Sequence, residues 1–163
     1  MSKTWFVLPL LVLTALPTHA DPSSDARKAI QSLYNRQDAA AARRDANGTF
    51  AGRSPQFVSI DKNGRHTPLA QEQQRVTGMF ANATKITAAT QIAHFTLQGS
   101  KALVTVKEKA RLFVVNPRNK AQKADLQINS VSNDIWTKTP SGWQELESKE
   151  ISGQTLVNGK PVK

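Results

Sequence analysis

Four long segments in the second half of the sequence alternate between apolar and polar residues. They cover residues 86–97, 102–115, 124–138 and 143–157. Alternation with a period of two places successive side chains on opposite faces of a β-strand. Turn sequences rich in glycine, serine and proline, at 98–101 and 139–142, join the segments into two hairpins, and a polar loop is expected at 116–123. The pattern predicts one antiparallel sheet that dominates the fold.

The first half of the chain supplies helices that can cover this sheet. Apolar residues recur at helical spacing after a polar start, with Ser24 or Asp25 as the expected N-cap and an end near Arg44. A short strand is predicted at 56–60, and an amphipathic helix follows Pro68. The predicted fold class is α+β: a curved antiparallel sheet with two to three N-terminal helices packed on one of its faces.

The first twenty residues have the three-part pattern of a cleavable secretory signal. A lysine precedes an apolar run at 5–16, and small residues precede a cleavage site expected between Ala20 and Asp21. An uncleaved anchor is the alternative, but the run is shorter than the roughly 20 residues that a membrane span needs. We predict a signal peptide at 1–20, one mature domain at 21–163, a secreted or periplasmic location, and no membrane attachment after cleavage.

Composition excludes several classes of function. The sequence has 22 basic against 12 acidic residues, but the basic residues are dispersed and not interleaved with aromatic ones, so no nucleic-acid partner is predicted. The absence of cysteine excludes disulfides and thiol chemistry. Outside the signal, His66 and His94 lack the spacing of metal ligands, so no metal site is expected. Phosphate-binding glycine loops and nucleophile elbows are also missing, and no cofactor is predicted.

Glu108 is the first candidate for a functional side chain. In its predicted strand it shares a face with Val106 and Ala110, while the opposite face carries basic residues. A carboxylate in an apolar pocket has a raised pKa and can act as a general acid or base. A bulge that turns Glu108 outward, or a buried ion pair, is the alternative. We expect Val106, Ala110, Phe57 and Trp136 to line a ligand pocket.

Three further side chains complete the candidate catalytic set. Asp134 shares a strand face with Trp136 and is either a second pocket carboxylate or a hydrogen-bonded aspartate beside a core tryptophan. Tyr34 lies on the apolar stripe of the first helix, where core packing with a bonded hydroxyl is the alternative to a pocket role. His94 stands alone on its strand, and a structural role is the alternative to catalysis.

Several stretches resemble one known superfamily. The opening helix, residues 57–64 leading into the helix at 69–80, and the ending at 133–143 are similar to the cone-shaped nuclear transport factor two-like superfamily, which includes ketosteroid isomerase, scytalone dehydratase and SnoaL-like cyclases. The resemblance covers nearly all of residues 25–157. It implies a cone-like curved antiparallel sheet with the two to three N-terminal helices packed on its concave face, where they roof a pocket. It also implies dimerisation through the sheet, as in many members. Its members range from enzymes to binding and association domains, so the activity stays open.

Three classes of function are therefore predicted. The first is an exported domain that binds a small apolar ligand or another protein, favoured because the sequence shows no matched pair of titratable pocket groups. The second is a lyase or isomerase that uses Glu108 or Asp134 as a general base, assisted by Tyr34 or His94. The third is a structural module that forms homodimers. The expected partners are thus a small apolar ligand and a second copy of the chain.

Overall fold

The computed structural model describes residues 21–116 and 118–162, so the predicted signal peptide lies outside the described residues. Within these ranges the order of elements is α1 Pro22–Ala42, α2 Ala46–Thr49, β1 Arg53–Ile60, β2 His66–Pro68, α3 Leu69–Ala81, β3 Ala83–Gln98, β4 Lys101–Asn116, β5 Asn119–Thr139, β6 Gly142–Val157 and β7 Lys160–Pro161. None of the helices in the described ranges has both the length and the apolar character that a membrane crossing requires.

All strands belong to one curved sheet. Its order is β2-β1-β6-β5-β4-β3, and β7 adds to β6. The pairs β3–β4, β4–β5 and β5–β6 are antiparallel along nearly their whole length, which confirms the predicted C-terminal sheet and the α+β fold class. The pair β1–β6 is parallel, which the sequence did not predict. Register shifts in β3, β5 and β6 bend the strands, since each bulge increases local twist.

Two boundaries differ from the sequence-based prediction. The N-cap of α1 is Asp21, whose carboxylate accepts a hydrogen bond from the amide of Ser23 at 3.0 Å, and not Ser24 or Asp25. The proline after Asp21 occupies the first turn, where its missing amide hydrogen and fixed φ suit a helix start.

The predicted polar loop at 116–123 is wrong over most of its length, because β5 begins at Asn119. Its polar residues still pair with the end of β4: Val115 lies opposite Lys123, and the Asn116 amide donates to Gln122 at 2.8 Å. This end of the hairpin is exposed, so composition alone resembles that of a loop.

Two apolar clusters hold the helices against the sheet. The first joins α1 to the central strands through Ile30, Val104 and Trp136, with Tyr34 and Trp143 beside them. The second joins α3 to β3 and β4 and contains Phe50, Val76, Phe80, Ile86 and Leu112. Burial of these side chains is the main source of stability, since the chain has no disulfide.

Candidate functional site

A cavity of about 580 Å³ lies between α3 and the inner face of β1, β4, β5 and β6. Only three of its 21 lining residues have apolar side chains: Phe57, Ile60 and Ile128. The others are charged, hydroxyl-bearing, amide-bearing, histidine or glycine. The inner space of this cone is therefore open and polar.

Glu108 stands on the wall of this cavity. It lies on β4 between Thr90 of β3 and Ser130 of β5, and its side chain is accessible to solvent inside the cavity. Among the described residues, none donates a hydrogen bond to its carboxylate. The protein that surrounds the group raises its pKa by desolvation, and the Asp38 carboxylate raises it further, while Arg53 acts in the opposite direction.

An ion pair joins the cavity wall to the core, with Arg53 on the wall and Glu145 buried behind it. Arg53 Nε donates to Glu145 Oε2 at 2.9 Å, and the Glu145 side chain is almost fully buried. The Arg53 guanidinium also covers the rings of Phe50 and Phe57, with its central carbon 4.7 and 4.4 Å from the ring centres. Burial raises the pKa of Glu145 to about 7, against the lowering effect of Arg53, and the Asp134 carboxylate adds to the rise.

Asp134 is the centre of a separate hydrogen-bond network in the core. Tyr34 Oη donates to its Oδ2 at 2.5 Å and accepts from Trp136 Nε1 at 2.9 Å. Ser132 Oγ donates to Oδ1 at 2.8 Å, and both Ser132 and Ser148 line the cavity. Burial raises the pKa of Asp134, while hydrogen bonds from Tyr34, Ser148 and Ser132 lower it. The pKa of Tyr34 is raised well above 10, first by burial and then by the Asp134 charge.

The structure separates the residues that the sequence grouped as catalytic candidates. Glu108 faces the cavity, whereas Tyr34 and Asp134 contact each other in the core beneath it. His94 is exposed on β3, and its ring lies 3.5 Å from the Thr96 hydroxyl. No two of the four candidates therefore meet inside the cavity.

The residues expected to line a ligand pocket also divide into two groups. Phe57 lines the cavity. Trp136 is 0 % exposed, and Val106 is buried beside it in the cluster under α1. Ala110 packs against the cluster under α3. Of the four residues expected to line a pocket, only Phe57 is on the cavity wall.

Two ion pairs edge the cavity. Arg75 donates to both carboxylate oxygens of Glu72, at 3.1 and 2.5 Å, one turn apart on α3. Arg65 Nε lies 3.2 Å from Asp61, whose carboxylate also accepts from the Arg65 amide. That backbone hydrogen bond is the main reason why the pKa of Asp61 is lowered.

Sequence reasoning missed the charged residues of this region. Glu145 is two residues after Trp143 on β6, so the two side chains are on the same face of the strand. The alternation in β6 therefore indicates that Glu145 faces inward. Arg53 offers no comparable signal, because its position depends on the parallel pairing of β1 with β6.

A larger and shallower depression, of about 710 Å³, lies between α1 and β3. Polar side chains of α1 in this depression form hydrogen bonds with β3, the strand at the free edge of the sheet. Asp38 accepts from the amide and hydroxyl of Thr90 at 2.7 and 2.9 Å, and Gln31 bonds to the Thr90 carbonyl and the Ile92 amide. Because α1 caps an edge strand in this way, we assign this depression a structural role.

The described part of the chain holds no group of three or more histidine, aspartate or glutamate side chains arranged to hold a metal ion.

Comparison with known proteins gives structural neighbours only. No family model matches the sequence, and no curated protein matches it. A Novosphingobium aromaticivorans protein provisionally described as a scytalone dehydratase superposes with a TM-score of 0.67 at 11% identity, covering 86% of this chain and 93% of that one.

Two further neighbours have the same architecture. A nuclear transport factor two-like superfamily protein from Salmonella enterica has a TM-score of 0.59 at 18% identity, covering 78% of this chain and 90% of its own. A Nostoc punctiforme domain with a cystatin-like fold has a TM-score of 0.59 at 17% identity, covering 78% and 76%. The chain therefore has the cone-shaped nuclear transport factor two-like fold.

Proposed function

We propose that the mature chain is an exported protein that binds a small polar ligand in the cavity, with Glu108 as the anchoring side chain. The observation that carries this proposal is an accessible carboxylate with no hydrogen-bond partner among the described residues, on the wall of a cavity of about 580 Å³. Ligand sites for small molecules are commonly about 300–1,000 Å³. Export rests on the signal pattern of residues 1–20.

The lining favours a polar ligand over the apolar one expected from the sequence. An apolar molecule here would remove water from charged and hydroxyl groups without replacing their hydrogen bonds, which costs free energy for each group. A polar molecule can pair with Glu108 and with the serine hydroxyls, while its apolar part contacts Ile128.

A lyase or isomerase is the second candidate, favoured by the raised pKa of Glu108, which suits a general base. Proton abstraction also needs a group that stabilises the charge formed on the substrate. Tyr34 and Asp134 are engaged with each other in the core, and His94 is exposed on β3. Binding therefore fits the geometry better than catalysis. Homodimerisation stays a prediction from the resemblance.

A ligand-detected NMR screen of small polar fragments against residues 21–163 tests the binding proposal. Ser130 faces the cavity, so Ser130→Trp should fill it and abolish binding of the true hits. Asn133→Trp is the matched control, since Asn133 is exposed on the same strand and bonds only to the outer Thr105 hydroxyl. Hits that survive Ser130→Trp, or that are lost equally in both variants, contradict the proposal.

A further inference from the structure

Charge is divided unevenly between the cavity and the rest of the chain. The carboxylates on the cavity lining are Asp61, Glu72, Glu108 and Glu150, and the cations on it are Arg53, Arg65 and Arg75. Asp134 and Glu145 add two carboxylates buried directly behind it. This region thus carries three more acidic than basic groups, in a chain whose formal net charge is +10.

The three arginines are already occupied. Arg53 bonds to Glu145, Arg65 to Asp61 and Arg75 to Glu72. These pairings leave Glu108 and Glu150 as the lining carboxylates that form no salt bridge among the described residues, although Arg53 and Arg75 still act on Glu108 through their charge. The cavity therefore holds acceptor groups that the protein itself does not satisfy.

The two carboxylates lie on either side of Ser130. Glu108 is paired with Ser130 across β4 and β5, and Ser130 is paired with Gly153 across β5 and β6. The Glu150 side chain lies over Gly153, where an added Cβ would be only 2.0 Å from Oε1. Two strand spacings separate the Glu108 and Gly153 backbones by about 10 Å, so two inward-reaching carboxylates can contact one small group between them.

We infer that the ligand of this cavity is a small organic cation whose ammonium group donates to Glu108, Glu150 and the Ser130 hydroxyl. An ammonium has three donors and no acceptor, which matches two carboxylates and a hydroxyl oxygen. Negative charge on the two carboxylates without a salt bridge, in a cavity walled by protein, attracts a cation more strongly than the same charge in open water. This inference rests on the proposed binding function and narrows its ligand class.

The lysines that flank Glu108 do not oppose this arrangement, and the residues that line the cavity include no lysine. Lys107 and Lys109 flank Glu108 along β4 and are exposed, and strand alternation directs them to the opposite face of the sheet. An incoming cation therefore meets the acidic inner face.

Three probes of similar size and shape test the inference: phenethylammonium, phenethyl alcohol and 3-phenylpropionate, each titrated into ¹⁵N-labelled protein at pH 7. The phenyl group can contact Ile128, and the head groups differ in charge. We expect saturable shifts of the Ser130 and Gly153 amides with phenethylammonium only. Its affinity should fall at least about tenfold in Glu108→Gln and in Glu150→Gln, as for loss of a hydrogen bond to a charged group.

Glu147→Gln is the matched control, because Glu147 lies on β6 opposite Ile135 and does not line the cavity. It should leave the affinity unchanged. If phenethyl alcohol or 3-phenylpropionate binds as tightly as phenethylammonium or more tightly, the inference that the ligand is a cation is wrong. It is equally wrong if none of the three probes gives a saturable shift. The proposed function fails separately, if the fragment screen finds no ligand of any charge that Ser130→Trp displaces.

Discussion

Replacing Glu145 with glutamine should make the protein more stable at neutral pH. Glu145 is 1 % exposed, and among the described residues its carboxylate has one hydrogen bond, from Arg53 Nε at 2.9 Å. Glutamine keeps an oxygen that can accept this bond and carries no charge. The comparison therefore isolates what ionisation of a buried carboxylate does to folding.

The magnitude follows from the raised pKa. Burial raises the pKa of Glu145 from 4.5 to about 7. Each pH unit of such a difference corresponds to about 1.4 kcal/mol, so ionisation destabilises the folded state by about 3 kcal/mol. Because the folded-state pKa is the higher one, the wild-type protein has this stability in full below pH 4.5 and loses it as the pH rises to about 7.

Urea denaturation followed by tryptophan fluorescence measures the effect, because Trp136 and Trp143 are buried. The free energy of unfolding of Glu145→Gln minus that of the wild type should rise by about 3 kcal/mol between pH 4.5 and pH 7.5. Subtracting the wild type cancels the contributions of other titrating groups. Glu147→Gln, on the same strand, should give a nearly flat difference.

The opposite slope would refute this reasoning. If the ion pair with Arg53 stabilised the fold more than burial of Glu145 costs, the glutamine variant would lose stability relative to the wild type as the pH rises. A flat difference for Glu145→Gln would equally contradict the raised pKa.

Three other outcomes are expected. Tyr34→Phe should lower the free energy of unfolding by about 2–3 kcal/mol, because the buried Asp134 carboxylate loses its donor, and a loss below about 0.5 kcal/mol in urea denaturation would contradict the network. Gly153→Ala should displace the flexible Glu150 carboxylate and weaken phenethylammonium binding in the NMR titration with little change in stability, and unchanged affinity would contradict the placement of that side chain. Mass spectrometry of the protein exported by a bacterial host should give a chain that begins at Asp21, and an uncleaved chain would contradict the signal assignment.

Much of the fold could be predicted because alternation is a local property of the sequence. The strands at 86–97 and 102–115 each repeat their pattern over many residues, and the turn between them contains a glycine. The turn residue Gly99 has a φ of 58°, which glycine adopts without strain. The parallel pairing of β1 with β6 could not be predicted in this way, since it joins segments about ninety residues apart.

The candidate site was only partly predictable. The alternation along a strand tells which face of the sheet a side chain is on, but it does not tell how deeply the side chain is buried. Glu108 and Asp134 both point to the inner side of the sheet, but one lies on an open cavity wall and the other lies under Tyr34 in the core. That difference depends on where α1 and α3 cover the sheet. The sequence of one strand contains no information about which helix lies above it.

The central claim is that Glu108 stands in an open cavity, and one engineered thiol tests it directly. The chain has no cysteine, so Glu108→Cys carries the only reactive thiol. A small neutral methanethiosulfonate should modify it in the folded protein at a rate close to that of exposed Lys107→Cys. A rate as slow as that of Val104→Cys, whose side chain is 2 % exposed in the wild type, would contradict the account.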